Sequence, residues 1–470
     1  MKNYKLRVTV LIILFAISGF SCKKLNENPA SFVTPDNFYN SPGQVEAVFA
    51  SSMNSLWTTW AVYGYGMGTF ANDDQLNGGN LIIPQDWGSD LWQAHYNAIM
   101  NLNTAIGAIG KGSLKGESKS TIDLLVAQAK FLRAYNYFML VRMFGDLPLL
   151  TEDTPPLAGD LTRSPVADVY KLIISDFTDA IANLPATWPA SEIGRPTSDA
   201  AKGLLAKAYL TMATYPMNAP DNYQKAADLA GQVISDGLYS LEPDVKKVFS
   251  VSTKYGPEMM WSFNSNYADM ATDPHIWTDM DGWGDESADP IWTQKYPDQP
   301  RKYAYVQIYN SEGIDYINSG NLPGIKKYLY DTKEDFDAGR SIVNIPIIRY
   351  ADVLLTFAEA DNMAHGGPTQ AAVDAINKVI DRANGHAVNA NDPLATTGMS
   401  KEDFDAKVIQ ERNWELCFEY DRWFDLIRKH ILKQESNPTI QQNFTEDDYL
   451  FPIPSVDVRL NPKLVQNPGY

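Results

Sequence analysis

Residues 350–383, YADVLLTFAEADNMAHGGPTQAAVDAINKVIDRA, read as two helices with the reversal between them written out in full. Tyr350–Ala364 and Gln370–Ala383 carry apolar residues at helical spacing. Gly366-Gly367-Pro368-Thr369 supplies a glycine C-cap, a helix-breaking proline and a threonine N-cap. The same grammar recurs upstream. In Pro165–Leu184, the residues Val166, Tyr170, Ile173, Phe177 and Ile181 form one stripe of an amphipathic helix, which Pro185 stops. Thr197 or Ser198 can cap a following helix striped by Ala201, Leu205, Ala208, Met212 and Tyr215, and a third runs over Tyr223–Ile234. Ser89–Ile109 and Thr121–Phe144 predict an earlier pair.

These hairpins predict a mainly α fold, a tetratricopeptide-like scaffold carrying a loop-rich, aromatic-rich region. Ala206 and Tyr209 on one helix and Tyr223 with Ala226 on the next resemble that repeat's small-residue contacts. A plain array of α-hairpins fits the same residues, because Pro216–Asn222 interrupts the period. Between the helical blocks, turn formers such as Asp281-Gly282 and Asp289-Pro290 break up residues 240–345. Trp261–Tyr305 holds nine aromatics in 45 residues, 20% against 12% for the whole chain, a density that irregular segments cannot bury entirely. A second concentration, Trp57 to Phe70, runs into Asn72-Asp73-Asp74-Gln75, with Trp87 beyond. Flat rings beside amides and carboxylates suit a sugar, whose C–H face stacks while its hydroxyls are hydrogen-bonded. Most of these rings are expected to staple loops to helices. A few remain as ligand contacts, drawn from Asn72, Asp73, Trp87, Trp277, Trp283 and Trp292.

The first residues read as a targeting segment. Lys2, Lys5 and Arg7 precede the 13-residue apolar stretch Val8–Phe20, too short to span a bilayer. Gly19-Phe20-Ser21-Cys22 resembles a bacterial lipobox, which makes Cys22 the expected lipidation site and 1–21 a signal peptide. Gly19 stands where such motifs place a large aliphatic residue, so a secreted protein without lipid is the other reading. The formal charge is −18, and −21 with 36 basic and 57 acidic groups once residues 1–21 are removed. Such a surface repels phosphate backbones, so nucleic acid is excluded as an expected partner. With only Cys22 and Cys417, no intramolecular disulfide is expected.

Signatures of catalysis are missing: there is no GxSxG elbow, HExxH pair or P-loop. His95, His275, His365, His386 and His430 show no metal-ligand spacing and are expected at surfaces or caps. Asp279, Asp281, Asp285 and Glu286 sparsely imitate a calcium loop whose twelfth position, Pro290, cannot ligate; no metal or cofactor is expected. Glu258 and Asp285 are the carboxylates a glycosidase reading would need. On a helix expected over Lys401–Lys429, Glu411, Glu415, Glu419 and Arg422 share one face. They predict a partly buried ionic network with Arg412, Arg422 and either Arg133 or Arg349.

Several longer segments carry a family likeness. Phe131-Leu-Arg-Ala-Tyr-Asn-Tyr-Phe-Met-Leu-Val-Arg-Met-Phe-Gly-Asp146-Leu-Pro148 and Arg195–Tyr209 are two of them; Arg349–Ala360, Glu411–Asp425, Phe451-Pro-Ile-Pro454 and Gln466–Tyr470 are four more. In this order they resemble the signature segments of SusD/RagB lipoproteins. The resemblance implies a non-catalytic nutrient-binding lipoprotein of the outer membrane, facing the exterior and paired with a SusC-like TonB-dependent transporter. Such a protein captures a glycan, here a neutral oligo- or polysaccharide, and delivers it for import. Lys23-Lys24-Leu25-Asn26-Glu27 lacks the acidic residues that favour outward export in this family. Four regions follow: 1–21, a signal peptide; 22–239, the N-terminal helical region; 240–345, the aromatic insertion; and 346–470, the C-terminal helical region. Two alternatives stay open, a helical-repeat assembly module acting through protein contacts alone and a peptide-binding member of the same family.

Overall fold

The computed structural model describes residues 38–59, 75–77, 88–154, 161–266, 279–281, 286–329, 341–419, 421–435 and 444–470. Residues 39–470 pack as one unit. The N-terminal helices are α1 (Pro42–Thr59), α2 (Ser89–Gly110), α3 (Lys119–Phe144), α4 (Val166–Asn183), α5 (Ser198–Ala213) and α6 (Asn222–Asp236), with the short strand β1 (Gln75–Asn77) after α1. The middle of the chain holds β2 (Met259–Phe263), β3 (Glu286–Ala288), α7 (Pro290–Lys295), α8 (Pro300–Tyr305), β4 (Val306–Gln307), α9 (Tyr316–Ser319) and β5 (Gly324–Ile325). The last third holds β6 (Ile345–Arg349), α10 (Tyr350–His365), α11 (Gln370–Ala383), α12 (Lys401–Glu415), α13 (Arg422–Arg428), α14 (Leu432–Glu435) and α15 (Ser455–Leu460).

Consecutive helices from α1 to α6 pack on one another, and α10 docks on α6 before continuing the array with α11 and α12. The expected capping residues perform as the sequence indicates. Thr197 accepts from Ala200 N, Thr369 from Ala372 N, and Gly366 closes α10 at φ 73°. Small side chains allow the close approach: Ala213, Ala226, Ala227 and Ala360 share one core cluster with Leu210 and Tyr223, joining α5, α6 and α10. Gly203 performs the same service about two turns earlier on α5. A Cβ there would stand 2.5 Å from Ile348 Cδ1, so the Ile348 side chain on β6 would have to shift to admit it.

The three two-stranded ladders, β1–β3, β2–β6 and β4–β5, are all antiparallel. Strand β2 anchors the middle region on the helices, since Trp261 meets Phe131 and Tyr135 of α3 edge-on at 4.7 and 5.0 Å. Accordingly α3 is buried around its whole circumference from Phe131 to Val141. His95 on α2 is also a core residue, not the surface or capping group expected. It is fully buried against Asn136, Nδ1 to Oδ1 2.8 Å, and burial pulls its imidazole down to about 4.

The helix expected over Lys401–Lys429 is broken into α12 and α13, with Phe418 left-handed at φ 63°. The cause lies in side chains that capture the carbonyls at the end of α12. Tyr296 Oη donates to Trp414 O at 2.9 Å, Arg349 and Lys327 donate to Glu415 O at 2.6 and 2.9 Å, and Tyr328 Oη donates to Phe418 O at 2.9 Å. These donors replace the next helical turn. Among the described residues, no helix is long and apolar enough to cross a membrane.

Candidate functional site

The β1–β3 ladder pairs Gln75 with Ala288, Leu76 with Ser287 and Asn77 with Glu286. It therefore joins the two segments in which the sequence concentrates its candidate ligand residues. Asn72, Asp73, Trp87, Trp277 and Trp283 themselves lie outside the described residues. By chain connectivity, Asp73 is two residues from Gln75, and Trp283 sits between Asp281 and Glu286, both in described segments. Asp281 is held in turn by the neighbouring turn, its Oδ2 accepting from Ser311 N at 2.7 Å. Asn321 Nδ2 donates to Met280 O at 3.2 Å and Gln307 Oε1 accepts from Met280 N at 2.8 Å, completing the support.

Trp292, the sixth candidate, is a core residue. Asp289 caps α7 by accepting from Ile291 N and Trp292 N, which turns the indole inward. There it is 4% exposed, donates Nε1–H to Asn413 Oδ1 at 3.1 Å, and packs edge-on against Tyr296 and Phe418. No face is left for a sugar. The same holds for Trp57, Trp261, Phe263, Tyr296 and Tyr305, all buried. Among the described residues the exposed rings are Tyr255, Tyr303 and Tyr309, the last two at 41% and 53%. Asp298 accepts from Tyr303 Oη at 2.7 Å, and that hydrogen bond, with burial second, pushes the phenol up to about 12. Tyr309 leads into the Asn310–Ile314 turn that Asp281 holds, with Asn318 and Asn321 following in sequence. Its aromatic-then-amide pattern matches that of Asn72 and its neighbours, but the residue falls just beyond the densest aromatic run.

Of the carboxylates considered for chemistry, Asp285 lies outside the described residues and Asp279 and Glu258 are structural. Asp279 Oδ1 accepts from Asp281 N and Gln307 Nε2. Among the described residues no cluster of three or more His, Cys, Asp or Glu could hold a metal ion. Glu258 is buried between two arginines, 2.6 Å from Arg349 and 2.5 Å from Arg382, and cannot approach a glycosidic bond. It belongs to the ionic network that the sequence places around Glu411, Glu415 and Glu419. Arg349 also reaches Glu415 and Glu419 at 2.6 and 2.8 Å, Arg301 reaches Glu411 and Glu415 at 2.5 and 2.8 Å, and Lys327 reaches Glu419 at 2.5 Å.

Of the cations expected there, Arg349 takes part, and Arg422 lies 4.0 Å from Glu435. Arg133 instead binds Asp176 and Glu152, and Arg412 binds Asp352 and Asp425. Burial alone would raise Glu415, but Arg382, Arg349 and Arg301 hold it well below the usual carboxylate range. Glu411 has fewer cations, and its burial pushes it up to about 7. A second network ties α5, α10, α12 and α13 through Lys207, Asp352, Arg412, Asp425, Arg428 and Glu359. Together the two networks tie α5, α8, α10, α11, α12 and α13 to one another.

With this architecture in view, comparison with known proteins is specific. The model described as "SusD family" matches residues 250–470, and one described as "Starch-binding associating with outer membrane" matches 38–210. The chain belongs to the SusD family. It is 27% identical to SusD-like protein P2 of Formosa agariphila, with all of both chains covered. A SusD homolog from Bacteroides thetaiotaomicron has the same fold, with a TM-score of 0.78 at 23% identity over 93% of this chain and 98% of that one. A laminarin-binding SusD-like protein matches with a TM-score of 0.75 at 21% identity, covering 92% of this chain and all of the other.

Proposed function

We propose that this protein captures a neutral oligo- or polysaccharide at the cell surface, without cleaving it, and delivers it to a SusC-like TonB-dependent transporter. The observation that carries this reading is the β1–β3 ladder, which joins the two aromatic, amide-rich segments on one flank of a rigid helical array. Membership of the SusD family and the laminarin-binding relative support it. In this reading Trp283, Trp277 and Trp87 stack on sugar C–H faces, Asn72 and Asp73 take hydroxyls, and Tyr309 extends the platform. Trp292 underlies it. Cys22 carries the lipid that holds residues 22–470 on the outer membrane facing outward, and 1–21 are removed. Regions 22–239 and 346–470 form the helical half that meets the transporter, while 240–345 bears the ligand.

The test is titration of residues 23–470 with neutral oligosaccharides, including laminari-oligosaccharides, with acidic oligosaccharides and with peptides. Tryptophan fluorescence and heat are followed, and products are analysed. Saturable binding to one neutral class with the ligand recovered intact is expected. Release of shorter sugars, or binding confined to peptides, overturns the reading.

A further inference from the structure

Away from the aromatic segments, a cavity of about 420 Å³ opens where the C-terminal ends of α3 and α5 meet α13 and the C-terminal tail. Its walls are largely apolar and aromatic, with Tyr170, Tyr215, Met217, Phe424 and Tyr449 prominent. Arg142 lines it under unusual conditions. Its guanidinium carbon lies between two rings, 3.8 Å from the Phe138 centroid and 3.7 Å from that of Phe424. Its hydrogen bonds go to Phe138 O at 3.1 Å and Met139 Sδ at 2.7 Å, and neither acceptor carries a charge. Among the described residues no carboxylate pairs with it, in contrast to Arg133, Arg301, Arg349, Arg382, Arg412 and Arg428.

The second arginine of the cavity, Arg163, likewise donates to neutral acceptors: Asp146 O, Phe144 O, Val465 O and Asn467 Oδ1. Of the acids lining it, Asp146 accepts from Val166 N and Glu446 is paired with His430, while Asp447 adds a third carboxylate to the wall. Arg428, the remaining cation, is neutralised by Glu359 and Asp425. Asp421 and Asp425 act on Arg142 through space without forming an ion pair, so this desolvated cation, held by two rings and two neutral acceptors, has no anion in direct contact. A partly open, ring-lined pocket beside it is what a small ligand needs.

We infer that this cavity is a second binding site, distinct from the aromatic segments, for a compact organic carboxylate whose apolar body lies among the tyrosines and whose carboxylate meets Arg142. The fork of the guanidinium matches a carboxylate in a way an alcohol or amine cannot. The site is independent of glycan capture, since none of its lining residues lies in the ladder segments.

The test is saturation-transfer NMR on the full chain with 3-phenylpropionate, 3-phenylpropanol and 2-phenylethylamine, three probes of one shape and different charge. Phenylpropionate is expected to bind saturably and at least tenfold more tightly than the other two. Arg142→Met should weaken it at least tenfold. Because that variant also loses the ring contacts, Met217→Trp serves as an independent arm: it fills the space while leaving Arg142 and its rings intact, and should abolish binding. Equal binding of the three probes, or phenylpropionate binding untouched by Met217→Trp, overturns the inference.

Discussion

Arg349 and Glu415 meet at 2.6 Å at the junction of β6, the first turn of α10 and the end of α12, and Arg349 also donates to the Glu415 carbonyl. One residue pair thus ends a helix, neutralises a buried carboxylate and joins β6 to α12. Glu415 serves Arg301 and Arg382 as well, and accepts from Tyr305 Oη at 3.1 Å.

Replacing it should consequently be severe. Glu415→Gln leaves three buried arginines short of charge and is expected to cost about 3–5 kcal/mol of stability. Glu411→Gln, which deprives only Arg301 and leaves it Glu415, is expected to cost roughly 1 kcal/mol. Urea unfolding of the two variants checks the order. Equal losses would show that the network is not centred on Glu415.

The two buried titrating groups make opposite contributions to pH dependence. His95 is pulled from 6.5 down to about 4, so the unfolded chain binds its proton first. Its contribution is complete above pH 6.5 and is lost as pH falls towards 4, about 3 kcal/mol in all. Glu411 titrates near 7 rather than 4.5, so the folded chain holds the proton and stability declines as pH rises through that window. Melting curves between pH 4 and 8 should show His95→Gln flattening the acid limb and Glu411→Gln flattening the neutral one. Unchanged slopes in both variants would refute these assignments.

Aromatic substitutions separate core from platform. Trp292→Ala should cost about 3–5 kcal/mol, because it empties a packed site and removes the indole donor to Asn413 Oδ1. Tyr309→Ala should change stability by no more than about 0.5 kcal/mol. If Tyr309 is part of the platform, glycan affinity falls in that variant while the melting temperature holds. A Trp292→Ala protein that melts like the parent would contradict the packing described here.

Gly203 provides a steric test. On helix propensity alone, Gly203→Ala should stabilise α5 by about 1 kcal/mol. The 2.5 Å approach to Ile348 Cδ1 predicts a net loss, recovered when Ile348→Val removes that methyl. Melting temperatures of the two single variants and the double variant decide it. A stabilised Gly203→Ala protein would mean that β6 yields to the added methyl.

Helix positions were legible because caps and apolar stripes are local signals. Thr197, Thr369 and Gly366 mark their ends, and the observed α5, α11 and α10 follow them closely. The break after Glu415 was not, because its donors Arg349, Lys327 and Tyr328 come from distant segments. Nor could sequence separate Trp292 from Tyr309. Both are aromatics beside turn residues, and only the Asp289 cap and the Asn413 acceptor turn one of them inward. The convergence of three glutamates on cations was readable from their spacing. The identity of those cations, apart from Arg349, depended on tertiary contacts with Arg301, Arg382 and Lys327.

The docking of α10 on α6, with residues 237–349 between them, governs how the molecule can be made. The N-terminal run of helices ends in a face that only late-synthesised chain can cover. Its contact order is correspondingly high, and the nascent protein must wait with alanine-rich surface bare until its final third emerges. Folding thus ends with a non-local closure, and an early stop in translation yields an open, sticky intermediate rather than a smaller working protein.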